Sequence, residues 1–259
     1  MGGWLRGFLE LVGHGVDLFD PAFAQVAPAP GRFAAWEQIP DLDLYESLFV
    51  AVPLARTGEV IAQIAARRPR GTIVEIASIK APAAQALAAA RAQGVSTLAL
   101  HPMFGPGKPL YEPMTFVLAA QGDPDAERAT LAPLLAHPYV KLVTVPFPHH
   151  DRLMGWLLGL AHLSSLLFGA ALARSAIDPQ ELAACASTTF TRQAATALSV
   201  LAEDPDLYLD IQHLNPHRSE IYAATHEALT ELEGLTALRD REGFRAALGA
   251  ARRAITVDP

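Results

Sequence analysis

Ser47-Leu48-Phe49-Val50-Ala51-Val52-Pro53 is a nearly unbroken apolar run. It is short enough for a strand and lacks the alternation of a sheet with one wet face, so it fits a parallel strand covered on both sides. The segments after it repeat the theme. Helical periodicity spans 57–66 and 83–92, and strand-like runs cover 72–77 and 96–100. Strands and helices alternating at these lengths predict an α/β, doubly wound sheet. Two further strands are expected at 115–119 and 140–145, with a helix over 125–136 between them.

Toward the N-terminus, residues 4–12 place Leu5, Phe8, Leu9 and Val12 on one helical face, and Gly13-His14-Gly15 stops the helix. Val16-Asp17-Leu18-Phe19-Asp20-Pro21 then reads as a strand ending in an acid. Toward the C-terminus, Pro146-Phe147-Pro148 punctuates the chain and the pattern changes to helices alone. They are expected over 151–176, 179–202, from Pro205 past Leu232, and 242–255. The predicted organisation is a sheet domain over 1–148 and an all-α domain over 149–259.

A chain of 259 residues with 51% hydrophobic content can bury one large core or two smaller ones. Its net charge of -7 argues against a nucleic-acid footprint, and Arg67-Arg68-Pro69-Arg70 reads as a solvated loop. A small-molecule partner is expected. The single cysteine, Cys185, excludes an internal disulfide and a cysteine metal cluster, and fits a reducing cytoplasm. Its surroundings, Ala183-Ala184-Cys185-Ala186, read as packed helix, which disfavours a nucleophile. Met1-Gly2-Gly3-Trp4-Leu5-Arg6 carries no secretory signal. Residues 153–173 hold no charge and are long enough to span a bilayer. Gly155, Gly159, His162, Ser164, Ser165 and Gly169 interrupt them, and no basic cluster follows Arg174. A central helix buried by its own domain and a dimer partner is the preferred reading, with no membrane span.

The chemistry centres on Leu98-Ala99-Leu100-His101-Pro102-Met103-Phe104-Gly105-Pro106, where an apolar strand delivers a histidine to a Pro/Gly-rich turn. An imidazole there can work near neutral pH, or serve as a hydrogen-bonded structural residue. Three other landmarks accompany it: Glu75-Ile76-Ala77-Ser78-Ile79-Lys80, His150-Asp151-Arg152, and Asp204-Pro205-Asp206-Leu207-Tyr208-Leu209-Asp210-Ile211. In this order and at these separations they resemble the prephenate dehydrogenase family, from Gly2 to the last helix.

The resemblance implies a Rossmann domain followed by a helical domain that forms a homodimer. It also implies NAD-dependent oxidative decarboxylation of prephenate to 4-hydroxyphenylpyruvate in tyrosine biosynthesis. His101 matches the catalytic histidine, and Ser78 would orient its imidazole and lie near the nicotinamide; alternatively Ser78 is a helix cap before Pro82. Cofactor contacts are expected at Gly2, Asp20, Val52, Pro53 and Ser78. Met1-Gly2 corresponds to the last x-G of the G-x-G-x-x-G fingerprint, so the first strand and leading glycines are expected before residue 1. Asp20 would hold the ribose hydroxyls and favour NAD over NADP, or be a turn aspartate before Pro21. His162 would face the substrate. Asp151 is read as the cap of the helix that begins there, and His149 and His150 have no carboxylate at metal-ligand spacing, so no metal is expected.

Two departures bear on the substrate. The acid common after the histidine motif is Gly107 here, followed by Lys108. The family's carboxylate-binding arginine falls on Ser199, a contact serine cannot copy. Arg192 or Arg218 would take over, or be ordinary surface charges. Arogenate or 4-amino-4-deoxyprephenate is then an alternative substrate, and a catalytically silent dimeric homologue an alternative identity.

Overall fold

The computed structural model describes residues 1–256, and the chain divides into two compact units, Met1–Pro216 and His217–Pro259. The first unit opens with α1 (Gly2–Leu11), which buries Leu5, Phe8 and Leu9. Gly13 at φ +96° ends it, a conformation that costs glycine nothing. Next come β1 (Leu18–Phe19) and β2 (Arg32–Phe33), a separate parallel pair. β1 is shorter than the expected strand over 16–21, and its partner lies in the Pro/Ala-rich connection.

The main sheet follows as β3 (Ser47–Val50), α2 (Thr57–Ala65), β4 (Thr72–Glu75), α3 (Ala81–Ala92), β5 (Thr97–Pro102), β6 (Met114–Ala120), α4 (Pro124–Leu131) and β7 (Val140–Pro146). The strands lie in chain order, β3-β4-β5-β6-β7. β3, β4 and β5 run parallel, as do β6 and β7, whereas β5 and β6 are antiparallel. A loop rather than a crossover helix joins β5 to β6, and that makes the reversal possible. Every residue of β4 and β5 is buried. One face packs Leu5 and Phe8 of α1 on Val74, Leu100 and Phe116; the other packs Ile61 of α2 and Leu87 of α3 on Val50 and Ile73. The sheet is covered on both sides, as the apolar run at 47–53 requires.

The helices depart from expectation at their ends. α5 (Phe147–Met154) starts before the expected 151, with proline in its first turn, where its missing N–H is harmless. It continues through a π-helical turn (Gly155–Leu160) into α6 (Ala161–Ser175). A π turn holds an extra residue and frees a carbonyl; Gln212 Nε2 donates to Gly159 O at 2.8 Å. The helix expected over 179–202 is two, α7 (Pro179–Ala184) and α8 (Thr188–Leu201), because Ser187 Oγ accepts from Phe190 N–H and starts a new one. Cys185, expected in packed helix, is exposed at that break. α9 (Pro205–His213) ends before Pro216, which stops the longer helix expected there. Ile211 of α9 and Met154 of α5 form a third apolar cluster with Leu54 and Ile79. The second unit holds α10 (Arg218–Ala237) and α11 (Arg241–Ile255), whose N-terminus Asp240 caps.

Candidate active site

His101 lies inside β5, opposite Val117 of β6, and is 3% exposed. The expected turn begins after it, so the strand itself fixes the imidazole. Its Nδ1 is 3.1 Å from His150 Nε2, and His150 Nδ1 is 2.8 Å from Asp151 Oδ1. Asp151 Oδ1 accepts the Lys80 amide at 2.7 Å, and Oδ2 accepts the Ala81 amide at 2.8 Å. Asp151 therefore caps α3 from across the fold, and not its own helix, which begins at Phe147. Asn215 Nδ2 donates to the Asp151 carbonyl at 2.8 Å and steadies that turn of α5.

Beneath this line sits a buried ion pair. Lys80 Nζ lies 2.6 Å from Glu75 Oε1 and donates to the carbonyls of Ala77 at 2.8 Å and Leu100 at 2.9 Å. Three oxygens use the three protons of an ammonium, which identifies a charged lysine. The Leu100 carbonyl precedes His101, so the pair pins the strand where it carries the imidazole.

Burial pushes the His101 pKa well below its ordinary 6.5, and Lys80 and His150 add to the effect. His150 is lowered too: burial outweighs the hydrogen bond from Asp151. For Asp151, burial alone would raise the pKa, but hydrogen bonds from His150, Lys80 and Ala81 hold it below the usual carboxylate value. Both imidazoles are neutral and the carboxyl ionised. His101 Nε2 makes no hydrogen bond among the described residues and is not a sealed atom.

Ser78 does not orient this ring. It is half-buried, makes no hydrogen bond among the described residues, and leaves α3 to be capped by Asp151. The loop after His101 is tied elsewhere: Phe104 packs on Trp4 at 4.7 Å and on Phe116 at 5.2 Å, while Trp4 Nε1–H donates to Lys108 O at 2.7 Å. That connects the loop to α1. Lys108, beside Gly107, pairs with Glu112 at 2.7 Å.

A cleft of about 890 Å³ is lined by Gly2, Gly3, Asp20, Val52, Phe33 and Leu48, among others. It lies between the β1-β2 pair and the β3 edge, and neither Pro53 nor Ser78 lines it. α1 has no side-chain cap, so its first-turn amides are open to an anion. Asp20 Oδ1 accepts from Ala22 N–H at 2.9 Å, the turn role, and the residue is exposed. Uncapped amides, an exposed acid and an apolar wall fit a dinucleotide.

On α6, His162 meets Tyr208 edge-on at 4.5 Å between ring centres, and its Nδ1 is buried without a partner. Burial lowers its pKa. Ser199 is exposed and donates to Thr196 O at 2.8 Å; Arg192 is also exposed on α8. Neither joins the His101 cluster. Arg218 begins α10 in the second unit. Sequence reasoning missed the roles of Lys80, Glu75, His150 and Tyr208. A lysine and a glutamate at opposite ends of an otherwise apolar stretch were the available signal for the buried pair.

The family profile described as "Prephenate dehydrogenase, nucleotide-binding domain" matches residues 32–140, and "Prephenate dehydrogenase, dimerization domain" matches 147–250. Gly2 and Asp20 precede the matched range. A probable arogenate/prephenate dehydrogenase of Methanocaldococcus jannaschii is 30% identical over 200 residues, 76% of this chain and 45% of that protein. A 4-amino-4-deoxyprephenate dehydrogenase of Streptomyces pristinaespiralis is 28% identical over 212 residues, 81% of this chain and 70% of that protein. The chain thus spans about half the length of the first relative. The crystal structure of prephenate dehydrogenase from A. aeolicus in complex with hydroxyphenyl propionate and NAD+ superposes with a TM-score of 0.75 at 14% identity, covering 98% of this chain and 92% of that one. With its two domain profiles matched in order along the chain, the protein belongs to the prephenate dehydrogenase family.

Proposed function

We propose that the chain is an NAD-dependent dehydrogenase that oxidatively decarboxylates prephenate to 4-hydroxyphenylpyruvate, in the cytoplasm, on the path to tyrosine. The observation that carries this is the line Asp151–His150–His101, which leaves one nitrogen of a neutral, buried imidazole unengaged. His101 Nε2 accepts the proton of the ring hydroxyl as the carbon bearing it is oxidised. Departure of the ring carboxylate as carbon dioxide returns an electron pair to the ring, and the oxygen recovers the proton as a phenol. Bound NAD supplies the hydride acceptor. The first-turn amides of α1, including Gly2 and Gly3, would face its phosphates, Asp20 its ribose, and Val52 and Pro53 the end of β3; Ser78 would lie toward the nicotinamide.

Division of labour at 148/149 puts the nucleotide in the first part and the substrate and dimer contacts in the second. His162, Arg192, Ser199 and Arg218 are its substrate candidates. Leu157 at 50%, Leu167 at 50% and Leu198 at 64% exposure leave apolar surface on the first unit's helices for a second copy. Helix 147–175 is long and apolar enough to cross a membrane, with 17% of its most apolar window buried. The matched dimerization profile favours a subunit partner over lipid.

Ser199 favours a second reading of the substrate. Its hydroxyl is engaged with its own helix where relatives hold a carboxylate, which points to arogenate or 4-amino-4-deoxyprephenate. Purified protein with NAD and each of the three compounds separates these readings through NADH formation. Turnover with one compound identifies the substrate, and no turnover with any leaves the silent homologue.

A further inference from the structure

We propose that His150 and Asp151 set the tautomer of His101, keeping its single ring proton on Nδ1 so that Nε2 presents a bare lone pair to the substrate hydroxyl. This rests on the reading of His101 as the base, and assigns positioning roles to two residues that the chemistry does not otherwise use.

The argument runs outward from fixed donors. Backbone amides only donate, so the Lys80 and Ala81 N–H groups, at 2.7 and 2.8 Å, hold Asp151 as an acceptor on both oxygens. The first turn of α3 favours the ionised form as well. A carboxylate 2.8 Å from His150 Nδ1 requires an N–H there. Neutral imidazole has one N–H, so His150 Nε2 is a lone pair, and at 3.1 Å it requires the proton of His101 on Nδ1. The remaining nitrogen, Nε2, is then an acceptor. Neutrality follows from the surroundings: both rings are buried, the Lys80 ammonium faces them, and its own partner is Glu75. The opposite tautomer would turn an N–H toward the substrate hydroxyl and could not take its proton.

The alternative orienting group is excluded by geometry, since Ser78 makes no hydrogen bond to His101. Lys80 contributes indirectly: its backbone N–H fixes Asp151, and its Nζ holds the carbonyl ahead of His101.

Heteronuclear NMR of the ring nitrogens in the wild-type protein reads the tautomer directly and needs no variant to fold. The expected result is His101 protonated at Nδ1 and bare at Nε2; a proton on Nε2 overturns the proposal. His150→Leu removes the acceptor and lowers kcat on the order of a hundredfold, with KM for substrate and NAD within about threefold. His150→Gln, whose amide oxygen can accept in place of Nε2, recovers about tenfold of that loss. Unchanged kcat in His150→Leu, beside an inactive His101→Asn, overturns the positioning role while leaving the base intact. An active His101→Asn sinks the base assignment instead, and the NMR reading of the tautomer stands apart from it.

Discussion

The end of β5 and the cleft beside α1 are built in opposite ways. Around His101, buried polar atoms are joined in one network: Asp151 accepts from two amides and His150, and Lys80 Nζ meets three oxygens. Around the cleft, strands are two residues long, Asp20 is exposed and the first turn of α1 is uncapped. Proton transfer needs dipoles and tautomers fixed before the substrate arrives. Holding a dinucleotide needs backbone donors and shape, which a ligand can complete on binding. The contrast assigns rigidity to the half that does chemistry and openness to the half that grips the cofactor.

The sharpest way to break that division is His101→Asn. It is expected to lower kcat by about 10²–10⁴ while NAD affinity, by fluorescence titration, holds; equal loss of both would merge the two halves. Lys80→Met strands the Glu75 carboxylate in the core and is expected to destabilise the fold by about 3–5 kcal/mol in urea unfolding. A change under about 1 kcal/mol would show that the buried network is not the rigid half. Asp20→Asn keeps the oxygen that accepts from Ala22 but removes the charge. It is expected to raise KM for NAD by roughly tenfold and leave unfolding within about 0.5 kcal/mol.

The smallest effect sharpens the electrostatics. Because burial, Lys80 and His150 hold the His101 pKa well below 6.5, the ring is already neutral at that pH. kcat/KM should be flat with respect to this group above 6.5 and fall only on the more acidic side. Stability carries the same sign, since below 6.5 the unfolded chain takes up a proton that the folded ring refuses. An acid limb centred at or above 6.5 would contradict the placement.

Much of the fold was legible because it is local. The apolar run at 47–53 and the helical faces of α1, α2 and α3 carry their periodicity in adjacent residues. β2 was missed because two residues hold no period, and the helix breaks at Ser187 and Pro216 were hidden by helical pattern on both sides. The antiparallel turn of β6 depends on a loop without a helix, which periodicity does not weigh. At the site, His101 and the pair His150-Asp151 stood out, but their partnership did not. Asp151 meets the Lys80 amide across 71 positions of chain, and His101 meets His150 across 49. Ser78 was favoured over them because it is near in sequence to a strand end, whereas the contact that matters comes from another helix.

The π turn at Gly155–Leu160 works as a phase adjuster within one continuous rod. Deleting a single residue from it would restore ordinary winding, rotate everything from Ala161 onward by about 100° and draw it back by about 1.5 Å. His150 would keep its seat while His162 swung off Tyr208. Insertions and deletions in this window are therefore a means of re-aiming the distal wall of the pocket without disturbing the proton-handling end.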